Sequence, residues 1–168
     1  MTRDLVAFGN WRYCLADPFD PLRSLNLTRT PGLAAPGDRG FRPAEFRLPR
    51  SNYKIVFHQY GPEMPNFDDV ADMIDNAIVE LDDEMQGHRG SDSIQKVRGW
   101  NLGTAHLSIS NPNQYYGLDH QMLIRFLQGL WLSGGVYGFF QVHMDFWDDR
   151  LTSHARGSAI LELAQKPK

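Results

Sequence analysis

Three histidines, His58, His106 and His143, each occupy the middle of a separate stretch in which apolar and more polar residues alternate, and each falls on the polar parity. Imidazole titrates near neutrality, so it can act as acid, base or metal ligand. Asp145 lies two residues beyond His143 on the same parity, where a carboxylate can orient an imidazole. Tyr60 and Ser108 add hydroxyls to this set, and Gln141 and Trp147 add an amide and an indole. If the three stretches are strands of one sheet, these side chains share a face. His58, His106, His143 and Asp145 are then the candidate catalytic residues, and Tyr60, Ser108, Gln141 and Trp147 the candidate ligand contacts. Proton-transfer chemistry of the isomerase, cyclase or decarboxylase type suits such a group without a cofactor. A three-histidine zinc site is the other chemistry it could support. No short-range ligand spacing backs that site, so no metal and no cofactor are assigned. The plain structural alternative is that these histidines are half-exposed, hydrogen-bonded fillers on a sheet.

The elements that must position them follow from periodicity. Residues 51–60 alternate Tyr53, Ile55 and Phe57 against Lys54, Val56, His58 and Tyr60, which predicts a strand ended by Gly61-Pro62. From a cap at Asn66 or Asp68 to about Gln86, the residues Val70, Met73, Ile74, Ala77, Ile78, Leu81 and Met85 keep helical spacing. Acidic residues suit the start of this helix, whereas Asp82, Asp83 and Glu84 oppose its dipole at the far end and call for basic partners. Strands are expected over 94–100 and 104–110, joined at Asn101-Leu102-Gly103, followed by a helix over 118–132 closed by Gly134-Gly135. An aromatic strand over 137–147 and a last strand over 156–163 complete the chain. The order β-α-β-β-α-β-β predicts an α+β domain, a ferredoxin-like βαββαβ plait with an extra C-terminal strand beside the fourth. Right-handed crossovers would place strands four, one and three side by side, bringing the three histidines onto neighbouring strands.

Composition divides the chain near residue 50. Residues 1–50 hold eight arginines, no lysine, five acidic residues and six of the ten prolines, a pattern of an extended arm packed on the body. Within it, residues 30–45 are expected to be the most mobile. Residues 51–168 carry nine basic and fifteen acidic residues, so arm and body are complementary in charge. The scattered arginines, the acidic body and the lack of an aromatic RNA-binding signature argue against nucleic acid. No apolar run approaches the roughly 20 residues of a membrane span, and Met1-Thr2-Arg3-Asp4 leads into no signal-peptide core. The single cysteine, Cys14, excludes an intramolecular disulfide, and a buried inert thiol is its expected state. His88, His120 and His154 read as solvated residues in loops or at a helix start. No Walker sequence, nucleophile elbow, HExxH or dinucleotide fingerprint occurs.

Tyr60-Gly61-Pro62-Glu63-Met64-Pro65 closes a strand ahead of an amphipathic helix, and Leu123, Leu127 and Gly129-Leu130 lie on a helix that leads into an aromatic strand. Together these segments resemble short, uncharacterised, often secreted fungal proteins of the same strand and helix order. The resemblance spans about residues 53–163 and transfers no catalytic residue. It implies an extracellular setting, with the cytoplasm as the alternative. The resulting expectation is a small domain that binds a small molecule or a protein partner, with a homodimer through the sheet face as one form. The alternative is a cofactor-independent enzyme built on the histidine cluster.

Overall fold

Among the described residues, alternation and helical spacing translate into six strands and two helices. The computed structural model describes residues 42–89, 97–111, 117–151 and 154–165, so the readings of the arm up to residue 41, Cys14 included, lie outside the described residues. The elements are β1 (Glu45–Arg47), β2 (Tyr53–His58), α1 (Phe67–Glu84) running into a π-helical turn (Met85–Arg89), β3 (Val97–Leu102), β4 (Ala105–Ser110), α2 (His120–Tyr137), β5 (Val142–Asp148) and β6 (Gly157–Leu163). All strands form one sheet in the order β1-β2-β5-β6-β4-β3, with every neighbouring pair antiparallel.

The fold is α+β, but the strand order is not that of the plait. β5 pairs with β2 and with β6, as expected, yet β6 and not β2 lies beside β4. The reason is β1, a three-residue strand at the end of the arm that the sequence pattern does not reveal. It occupies one edge of β2 while β5 occupies the other, so β2 has no edge left for β4. The chain order β2-α1-β3 therefore spans three intervening strands, and β4-α2-β5 spans one.

Each helix begins where the sequence supplies a cap. The Asn66 side chain accepts from the Asp68 amide at 3.1 Å, and Asp68 and Asp69 stand in the first turn of α1, where the dipole favours negative charge. Asp119 caps α2 by accepting from the Met122 amide at 2.7 Å. Gly134-Gly135 does not close α2, which continues to Tyr137 and stops at Gly138, whose φ is +91°. The absence of a side chain at Gly134 serves packing instead: a Cβ there would sit 2.0 Å from the Phe139 ring.

Both helices cover one face of the sheet, α1 over β3 and β4 and α2 over β2 and β1. Val70, Met73, Ile74, Ala77 and Leu81 of α1 and Leu123, Phe126, Leu127 and Leu130 of α2 bury against Ile55, Phe57, Ala105, Leu107, Ile109, Val142, Met144, Phe146 and Leu161. At the centre Phe126 stacks on Phe146, with centroids 4.3 Å apart and planes 6° from parallel. The two-residue β3–β4 turn puts Gly103 at φ +53°, and Thr104 donates its amide and hydroxyl to Asp69 at 2.7 and 2.9 Å, tying the hairpin to α1. Among the described residues no helix is long and apolar enough to cross a membrane.

Candidate functional site on the open face of the sheet

Among the described residues no helix covers the opposite face of the same strands, and the pleat points His58, His106, His143 and Asp145 out of it. His58 on β2 and His143 on β5 stand directly opposite each other in the register, and both are exposed. Directly facing Cβ atoms in an antiparallel pair lie about 5 Å apart, which brings the two imidazoles together. Asp145 is one open-face position along β5 from His143 and faces Val56. From there its Oδ2 lies 3.0 Å from Nε2 of His58, a diagonal cross-strand contact. Its other oxygen accepts from the Ser158 hydroxyl at 2.6 Å, Ser158 being its partner across the β5–β6 pair. The result is a chain Ser158–Asp145–His58 that leaves Nδ1 of His58 unused by the carboxylate.

His106 is not part of this group. β6 lies between β4 and β5, and His106 faces Glu162 while His143 faces Ile160. Sheet spacing puts the two histidine Cα atoms about 12 Å apart. The ring of His106 turns the other way, with Nδ1 2.6 Å from the Asn101 side-chain oxygen. Among the described residues no set of three His, Cys, Asp or Glu side chains is arranged to hold a metal, so the three-histidine arrangement does not form.

The four expected ligand contacts separate. Ser108 lies on the open face, in register with Ile160, and lines a groove there. Trp147 is on this face opposite Lys54 but outside the groove lining. Gln141 precedes β5 and pairs through its backbone with Gly61 and Pro62. Tyr60 leaves the face altogether. The strand ends at His58 and Gln59 takes φ +45°, which breaks the alternation. Tyr60 then packs edge-on against Phe140, donates its hydroxyl to the Pro43 carbonyl at 2.7 Å, and burial pushes that hydroxyl above its ordinary titration range.

The groove has a volume of about 740 Å³ and runs across β2, β5, β6 and β4. His58, His143, Asp145, Ser158, Ile160 and Ser108 form its middle, with Ser110 and the exposed Val97 at its β4–β3 end. Ser158 and Ile160 were not visible as site residues because the last strand was expected at the sheet edge. Their alternation with Ala159 and Leu161 was the available signal.

Polar clusters also lie away from the groove among the described residues. His120, read as solvated, is 5% exposed, with Nε2 2.8 Å from Glu84 Oε2. Arg98 donates to both Glu84 oxygens at 2.8 and 2.7 Å and holds that carboxyl down at about 2. This pairing supplies the basic partners that the acidic end of α1 calls for. At the end of β5, the buried Asp148 accepts two hydrogen bonds from the Arg150 guanidinium, both at 2.9 Å, and one from Arg156 at 3.1 Å. Arg150 above all holds the Asp148 carboxyl at about 2.

Comparison of the chain with protein-family models, with curated proteins and with solved structures gives no match.

Proposed function

We propose that the protein is a small ligand-binding domain whose site is the groove on the open face of the sheet. The observation that carries this reading is the convergence of His58, His143, Asp145, Ser108 and Ser158 around one concavity of about 740 Å³. That volume is within the range of roughly 300–1,000 Å³ that holds small molecules. The lining joins two imidazoles, a carboxylate and several hydroxyls to the apolar surface of Val97 and Ile160, which suits a small molecule with both polar and apolar parts. None of these side chains is needed to fill the core, which lies on the other face.

A second reading is favoured by the 3.0 Å contact between His58 and Asp145. A carboxylate on Nε2–H keeps the lone pair on Nδ1 and stabilises the imidazolium that forms when the base takes a proton. With His143 opposite as the acid, the pair would suit a cofactor-independent isomerase, cyclase or decarboxylase.

The test is a magnetic-resonance screen of the histidine-labelled full chain against mono- and dicarboxylates, phosphate monoesters, amines and monosaccharides. Ligands that shift the His58 and His143 ring signals together with Ser108 support the proposal. Shifts confined to other parts of the molecule, or a dimer that protects both rings without any added compound, would overturn it.

A further inference from the structure

We infer that His58 and His143 form a two-imidazole site for a divalent transition-metal ion, copper(II) foremost. The register carries the inference. The two residues are direct partners across β2 and β5, and both are exposed on the face opposite α1 and α2. With Cβ atoms about 5 Å apart, one ring nitrogen from each can reach an ion at about 2 Å. His143 makes no side-chain hydrogen bond among the described residues, so its ring turns without losing a partner.

The arrangement behind His58 is that of a metal ligand's support. Ligating histidines usually give their second ring N–H to a carboxylate, which fixes the ring and raises its basicity. Asp145 takes that role at 3.0 Å from Nε2, and it is anchored in turn by Ser158 at 2.6 Å. Nδ1 of His58 is the nitrogen left to bind. Among the described residues no third carboxylate, thiolate or imidazole joins the pair as a ligand, so water or a molecule in the groove completes the coordination. Imidazole donors suit copper, nickel and zinc, and among divalent ions of this series copper(II) binds most tightly. The site depends on the histidine pair and its Asp145 support and does not rest on the small-molecule reading.

The experiment is titration of the full chain with copper(II) chloride in a non-coordinating buffer, in a Cys14→Ser background that removes the competing thiol. Binding is followed by electron paramagnetic resonance and by paramagnetic broadening of backbone amides. The expected result is one principal copper per chain with two imidazole nitrogens, and broadening centred on residues 58, 143 and 160. His58→Ala and His143→Ala should each weaken that site by at least tenfold, while His106→Ala leaves it unchanged. Asp145→Asn keeps the shape but loses the charge, and should weaken it by about tenfold, the lower end for an outer-shell partner. Broadening centred elsewhere, or an affinity that survives His58→Ala and His143→Ala, overturns the assignment.

Discussion

The two faces of the one sheet are built on the same strands and differ in everything their side chains do. On the helix-covered face Ile55, Phe57, Met144, Phe146, Leu107 and Ile109 are buried and interlocked with α1 and α2. On the other, one residue along each strand, His58, His143, Asp145, Ser108 and Ser158 surround a groove that no helix among the described residues covers. Burial of apolar area fixes the first set, because each lost contact leaves a cavity that neighbours fill only partly. Nothing comparable holds the second set in place. The contrast teaches that core packing among the described residues accounts for one parity of these strands and does not account for the other.

The comparison can be broken at the buried face first. Phe146→Ala removes the ring stacked on Phe126 and should cost about 3–5 kcal/mol in chemical denaturation. A loss below about 1 kcal/mol would mean that this face is not the packed core. Asp148→Asn uncouples a buried carboxylate from Arg150 and Arg156, and should cost about 3 kcal/mol, the low end for breaking a buried ion pair. Gly134→Ala improves helix propensity by about 1 kcal/mol, yet its methyl would meet the Phe139 ring at 2.0 Å. A net loss of about 1–2 kcal/mol is expected from the overpacking, measured as a lowered urea midpoint.

Acid sharpens the same contrast. Glu84 and Asp148 both titrate at about 2 in the folded chain because guanidinium groups hold them ionised. Their folded values lie below the unfolded ones of about 4, so they contribute stability that is fully present above that range. That contribution is lost as pH falls from about 4 through about 2. Glu84→Gln and Asp148→Asn should each flatten the fall in unfolding free energy over this window. An unchanged slope would contradict the ion-pair assignment.

Face assignment was legible because a period of two is written directly in the order of residues. Ile55 and Phe57 against Val56 and His58, and Met144 and Phe146 against His143 and Asp145, needed no knowledge of neighbours. Strand order was not legible, since alternation says which way a side chain points but not which strand lies alongside. A three-residue strand, Glu45–Arg47, has too few residues to show a period, yet it displaced β2 from β4 and moved His106 out of the site. Tyr60 was lost to a single backbone angle at Gln59, and His120 was misjudged because its partner, Glu84, stands 36 positions away. Gly134 carried a helix-stop signal that packing against Phe139 overrode.

The central claim is that the open face serves binding and not stability. It is tested most directly by the double variant His58→Ala/His143→Ala, followed by chemical denaturation and by the same ligand screen. The account predicts an unfolding free energy within about 1 kcal/mol of the parent, as expected for exposed polar contacts, together with loss of the shifts at Ser108. A destabilisation of several kcal/mol, or ligand shifts at Ser108 that persist without the two imidazoles, would contradict it.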